Sequence, residues 1–282
     1  MGEEDAKSVQ LGIDCLGSGA PTLIFVHGGF CDRHDWQSQV NRLSGRFNVI
    51  ALDLPGHGES ALPARADVEA LARSVGKVVA RHGQGGVILV GHSLGCRVIL
   101  EAFRQASAGI IGMVLTEGGL IAAGDADQAV DAFKKQLDTV GFLNLMRPLF
   151  EGMFTAHSDP NLRLQALDRL DRVNVQFAEE LLLNTVRWDA SEAARVLPLI
   201  DLPTLIVDST SLDENFNRTS LVPGARTPWM ELVLRHVPEA EIRIVPGVGH
   251  FLMIEASEVV SDHIGAFANR VTQARSGTRP AC

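Results

Sequence analysis

The stretch Val87-Ile88-Leu89-Val90-Gly91-His92-Ser93-Leu94-Gly95-Cys96-Arg97-Val98-Ile99-Leu100 constrains the fold of this chain more than any other. An apolar run of strand length enters Gly91-His92-Ser93-Leu94-Gly95, and a segment of helical periodicity leaves it. A Gly-x-Ser-x-Gly pentapeptide between a strand and a helix describes a sharp turn that lifts a serine hydroxyl clear of a sheet. A Cβ at either flanking position would crowd such a turn, which accounts for both glycines. Five residues alone are a weak signal. The weight comes from the strand before, the helix after and the partners found elsewhere in the chain.

The rest of the chain repeats that rhythm. Residues 21–26 are a continuous apolar run, the pattern of a strand buried on both faces, and 47–52 and the apolar 110–116 read as further strands. Helical patterns lie between them at 36–43 and 67–82. Alternation of this kind predicts an α/β fold, a doubly wound, mostly parallel sheet with right-handed crossovers. A further strand is expected within 8–16. From 121 to 196 the rhythm breaks, and amphipathic helical patterns cover 129–140, 143–154, 162–170 and 177–188. This segment reads as an inserted helical cap, with residues 1–120 and 197–282 forming the core domain. A strand at 203–207, a helix at 229–237, a last strand at 241–245 and a closing helix at 257–272 follow. Residues 1–7 and the polar tail 273–282 read as frayed ends.

A serine hydroxyl is a poor nucleophile near neutral pH and needs a base within hydrogen-bond reach. Of the nine histidines, His250 is the candidate, because it follows the last predicted strand in Gly247-Val248-Gly249-His250. The C-terminal ends of parallel strands share one edge, where ligands bind, so Ser93 and His250 belong together there. A base of this type is expected to titrate near neutrality. His27 and His57 sit in glycine-rich turns and read as structural, and His92 as pointing along the turn. Two backbone N–H groups must face a developing oxyanion. Leu94, next after the serine, and Gly29, in the loop after 21–26, are the expected donors.

Four segments occur in one order: Phe25-Val26-His27-Gly28-Gly29, Asp53-Leu54-Pro55-Gly56-His57-Gly58-Glu59-Ser60, Gly91-His92-Ser93-Leu94-Gly95 and Pro246-Gly247-Val248-Gly249-His250-Phe251. In these the chain resembles the α/β-hydrolase-fold serine hydrolases with a helical cap. The resemblance implies an esterase-like enzyme with a Ser-His-acid triad and no cofactor or metal. The acid departs from the usual pattern. The family places it after the strand corresponding to 203–207 in a Gly-x-x-Asp turn, but here the turn reads Asp208-Ser209-Thr210-Ser211-Leu212-Asp213-Glu214. Asp213 would serve through a one-residue insertion, and Asp208 is too close to the strand. Glu117, after the 110–116 strand, is the favoured alternative, because haloalkane dehalogenases and others of this fold carry their acid there. Those dehalogenases, like epoxide hydrolases, have Asp where this chain has Ser93, which argues against their chemistry. The resemblance leaves open carbon–carbon bond hydrolysis on the same triad, a cofactor-free dioxygenase using the His-acid pair, and a hormone-type receptor or pseudoenzyme.

Phe30 and the cap residues Phe142, Met146, Phe150, Met153, Phe154 and Trp188 are candidates for a pocket wall. Of these Phe30, Phe154 and Trp188 are the expected substrate contacts. Apolar walls suit a small acyl or aromatic substrate. Arg187 reads equally as a polar contact or a surface ion pair. The formal net charge of -9, without a basic cluster, argues against nucleic-acid and anionic membrane partners. No secretory signal or membrane-length apolar run is evident. Cys15, Cys31, Cys96 and Cys282 have no metal or disulfide-framework spacing, which points to a cytoplasmic protein. A homodimer is compatible with the chain.

Overall fold

Continuous apolar runs form strands wherever helices can cover both faces, and this decides the middle of the molecule. The computed structural model of the protein describes residues 9–213 and 217–277. The main sheet contains β1 (Ile13–Leu16), β2 (Thr22–Val26), β3 (Asn48–Leu52), β4 (Val87–His92), β5 (Ile110–Thr116) and β6 (Thr204–Asp208). Two short strands, β7 (Thr210–Leu212) and β8 (Arg218–Ser220), form a separate antiparallel hairpin. The last strand is β9 (Glu241–Ile244), and the sheet order is β1-β3-β2-β4-β5-β6-β9. Only β1 runs antiparallel to its neighbour. Every residue of β2, β4, β5 and β6 is buried.

Register sets the working edge. Val26 pairs with Gly91, His92 with Thr116, and Thr116 with Val207. The strands therefore end together, and the loops carrying Gly29, Ser93, Glu117 and Ser209 leave the sheet side by side.

The flanking helices of the first half are α1 (Gln37–Leu43), α2 (Val68–His82) and α3 (Leu94–Gln105). Between β5 and β6 lie α4 (Ala126–Val140), α5 (Phe142–Glu151), α6 (Pro160–Asp171), α7 (Val175–Ser191) and the single turn α8 (Ala193–Val196). Asp125, Asp159 and Asn174 cap α4, α6 and α7 by accepting from backbone N–H groups of the first turn, which explains their sharp starts. The chain closes with α9 (Pro228–His236), α10 (Leu252–Glu255) and α11 (Ser257–Gly277). No helix among the described residues is long and apolar enough to cross a membrane.

Three expectations change. Among the described residues of the expected first strand, 9–16, only Ile13–Leu16 finds a partner in β3. The last helix continues to Gly277, through residues expected to be frayed. The β7–β8 hairpin carries no sequence signal, because three-residue strands are too short to show alternation. The ends at 1–7 and 278–282 lie outside the described residues.

The elbow glycines are forced by contact. A Cβ on Gly95 would lie 2.3 Å from the Val26 carbonyl oxygen, and one on Gly91 would lie 2.6 Å from the Gly95 backbone. Neither neighbour is a flexible side chain end. Gly95→Ala is expected to destabilise the fold by about 1–3 kcal/mol, the cost of overpacking a rigid site. Gly76→Ala, in α2 with open space around it, should be neutral or stabilising. Urea midpoints for the two variants check this, and the opposite order would contradict it.

Candidate active site

Ser93 sits between β4 and α3 with φ +52° and ψ −111°. The non-glycine residues at positive φ among those described are Phe30, Ser93 and Glu117. They stand after β2, β4 and β5, on one edge of the sheet. Such backbone is costly and persists only where surrounding contacts impose it.

His250 is buried beyond β9. Its Nδ1 lies 2.9 Å from Glu117 Oε2. A carboxylate oxygen accepts, so Nδ1 carries the proton and Nε2 keeps its lone pair. Glu117 is held by a full set of donors. Oε1 accepts from the Ser209 N–H, from Ser209 Oγ at 2.9 Å and from the Thr210 N–H at 2.9 Å. Oε2 accepts from Thr210 Oγ1, from His250 and from Arg218 Nη1 at 3.4 Å. A buried charge persists when it is paired and hydrogen-bonded in this way.

The structure thus brings Glu117, not Asp213, to the imidazole. Asp213 is exposed on the β7–β8 hairpin and accepts from the Asn217 backbone at 2.8 Å. Asp208 ends β6 and is buried, with Oδ1 lacking a partner. Burial, then the charge of Glu117, pushes its carboxyl well above the ordinary range.

Ser93 and His250 both line a void of about 20 Å³. No hydrogen bond joins Ser93 Oγ to the imidazole among the described residues. In resting sites that bond often tightens only when substrate arrives. Burial, then the charges of Arg218 and Arg97, presses the His250 imidazole well below its ordinary value. The neutral-range titration expected of it therefore moves to the acid side. His92 has more to do than the sequence suggested. Burial keeps it neutral, and its Nε2 donates to the His250 carbonyl at 2.9 Å, anchoring that loop. His27 and His57 are pressed by burial to about 4 and about 3. His27 Nε2 accepts from the Leu54 N–H at 2.9 Å and ties the two glycine-rich turns together.

Gly29 and Leu94 border a larger cavity of about 680 Å³ that Ser93 shares. The Leu94 N–H opens α3, where the first N–H groups have no partner within the helix. A Cβ on Gly29 would meet only the Leu94 side chain, at 3.7 Å. The tight approach is at Gly28, where a Cβ would come 2.8 Å from His92 Nδ1.

Helices α5 and α7 supply the facing wall of the cavity through Met146, Phe150, Leu181 and Leu182. Phe30 lines it as expected and stands edge-on to Phe142, with centroids 5.3 Å apart. Two expected contacts are corrected. Trp188 is fully buried and its Nε1 donates to Glu101 of α3 at 3.3 Å, away from the cavity. A buried indole N–H needs such a partner, and α3 provides it. Phe154 stacks on Phe251 at 5.2 Å and packs beneath the His250 loop instead of lining the main cavity. Arg187 pairs with Asp127 in solvent.

Several cavity residues were missed. Arg97 pairs with Asp189 through two contacts of 2.6 and 2.7 Å, and its Nη1 reaches the Ser93 carbonyl at 3.4 Å. Its spacing of four from Ser93, one helical turn, was a readable signal. Trp229 lies against Gly118, where a Cβ would be 2.3 Å from the indole nitrogen. Arg218 comes from β8, a strand with no signal of its own.

The model of the Alpha/beta hydrolase family matches residues 23–263. The dihydrolipoyllysine-residue acetyltransferase component of the acetoin cleaving system from Pseudomonas putida is 28% identical over 269 residues, 90% of this chain and 65% of that protein. The 2-succinyl-6-hydroxy-2,4-cyclohexadiene-1-carboxylate synthase of Escherichia coli O7:K1 is 34% identical over 113 residues, 40% of this chain and 44% of that protein. The chain thus spans less than two thirds of the length of both relatives. A thermophilic esterase from Thermogutta terrifontis has the same fold, with TM-score 0.74 and 22% identity over 94% of both chains. Sheet order, elbow and family match agree, and the chain belongs to the Alpha/beta hydrolase family.

Proposed function

We propose that this protein is a serine hydrolase that cleaves a carboxylic ester or lactone of a small, largely apolar substrate. The observation that carries the reading is the 2.9 Å contact between His250 Nδ1 and Glu117 Oε2, buried beside a serine on a strained elbow. Ser93 Oγ attacks the carbonyl carbon as His250 Nε2 takes its proton. The tetrahedral oxyanion lies between the Gly29 and Leu94 N–H groups. Its collapse breaks the ester bond, and the departing alkoxide takes the proton from His250. Water, deprotonated by the same nitrogen, then attacks the acyl-enzyme; the bond to Ser93 Oγ breaks, Oγ takes the proton back from His250, and the acid is released. Glu117 holds the ring in the required tautomer and stabilises the imidazolium. The helices between β5 and β6 act as a cap that shields the acyl-enzyme from bulk water and shapes the pocket.

A panel of short and medium p-nitrophenyl esters, lactones and a β-diketone tests this. Hydrolysis of at least one ester or lactone is expected. Turnover of the diketone alone would move the reading to carbon–carbon cleavage, and no hydrolysis of any would overturn it.

The pH dependence follows from the buried imidazole. A base acts in its unprotonated form, and a lowered pKa keeps that form present to lower pH. The acid limb of kcat/KM is therefore expected below pH 6.5, the ordinary value of histidine. A limb above 6.5 would show that burial and the two arginines do not set the base.

A further inference from the structure

The cavity shared by Ser93 is apolar over most of its wall, yet four charged side chains border it: Arg97, Glu117, Arg218 and Arg235. Two of these are accounted for within the protein. Asp189 holds Arg97 through both carboxylate oxygens. Glu117 is committed to His250 and to the Ser209–Thr210 backbone. Arg218 is different. Its side chain is only 15% exposed, and a single nitrogen, Nη1, is engaged, at 3.0 Å from Thr210 Oγ1 and 3.4 Å from Glu117 Oε2. The other nitrogens have no hydrogen-bond partner among the described residues. Asp208, behind Glu117, adds its charge at a distance but makes no hydrogen bond to the guanidinium. Burial presses Arg218 down from its ordinary value, against the opposing charges of Glu117 and Asp208.

A guanidinium presents its donors as a planar fork, and a carboxylate matches a free edge of that fork with two parallel acceptors. We propose that Arg218 is a substrate-anchoring residue and that the preferred substrate carries a carboxylate in the main cavity, with its apolar body against α5 and α7. This rests on the reading of Ser93 as an acyl-transfer nucleophile and names the substrate class for it. Arg235, also at the cavity, is exposed to solvent, so Arg218 is the cation held within the wall, and a single negative charge fits it. A phosphomonoester would bring nearly two charges into a wall that is mostly apolar. Arg218 also lies one contact from the imidazole, through Glu117, so the anchored group sits near the reacting end.

The test uses matched ester pairs that differ only in that charge: 4-acetoxybenzoate against its methyl ester, and monophenyl adipate against phenyl methyl adipate. In the wild type, kcat/KM for the anionic member of at least one pair should exceed that of the neutral one by tenfold or more. Arg218→Met should lower this ratio tenfold to hundredfold, the range of a charge-assisted contact. Arg218→Lys should retain part of it. The ratio cancels any effect of the substitution on Glu117 and His250, which both substrates share. A second arm needs no turnover. Ser93→Ala protein should bind 4-hydroxybenzoate at least tenfold more tightly by calorimetry than its methyl ester, and the added Arg218→Met should abolish the difference. Hydrolysis with neutral members equal or preferred in both pairs, and no preference in binding, would overturn the anchoring role. Carboxylate preference in binding without ester turnover by the wild type would instead remove the acyl-transfer reading and leave the anchor standing.

Discussion

Ser93→Ala is expected to lower kcat on a good ester substrate by on the order of 10⁶, with KM little changed. The substitution removes the attacking atom and leaves the cavity, the oxyanion donors and the His250–Glu117 pair in place. A residual rate of about 10³–10⁴ over water should remain, since the oxyanion hole and binding act without the nucleophile. Thermal midpoints of both proteins check that the fold survives. The serine side chain makes no contact the fold depends on, so the midpoint should hold. A loss of less than tenfold would mean that Ser93 does not attack the substrate. Oxygen uptake with a quinolone-type substrate that survives Ser93→Ala would favour the dioxygenase reading, in which the His-acid pair works alone.

Glu117→Gln should cost on the order of 10⁴ in kcat. The amide preserves shape but loses the charge that stabilises the imidazolium, and its NH₂ group can face Nδ1 and favour the wrong tautomer. Asp213→Asn, on the exposed hairpin, should change kcat less than twofold, because an exposed carboxylate contributes little. The comparison within one assay separates the two strand tips. A crippled Asp213→Asn beside an active Glu117→Gln would reverse the assignment of the acid. Glu117 also accepts from Ser209 and Thr210, so thermal midpoints must accompany the rates.

The parts legible in the sequence were those fixed by local sterics or by burial on both faces. Gly91 and Gly95 are dictated by backbone atoms within 2.6 Å of any added Cβ, and the pentapeptide records that constraint directly. Strands β2, β4, β5 and β6 are buried throughout and largely apolar because helices cover both sides, and the run at β3 reads the same way. The acid was legible only as a choice. Glu117 and Asp213 both follow strands, and which tip faces His250 depends on packing between segments 133 residues apart. The Arg97–Asp189 pair spans 92 residues and gives no local trace beyond the spacing of Arg97 from Ser93. Trp188 was misplaced for a related reason. Helical periodicity shows that it is buried but not against which neighbour, and Glu101 of α3 decided that. Arg218 was invisible, because the hairpin carrying it is set by pairing between two three-residue strands.

Intact-mass measurement after treatment with a fluorophosphonate tests the central claim most directly, because this reagent traps a serine activated by a neighbouring base and an oxyanion hole. The account predicts one adduct per chain, mapped by peptide analysis to Ser93 and missing in Ser93→Ala. Ester hydrolysis that proceeds with no adduct, or with the adduct on another residue, would contradict it.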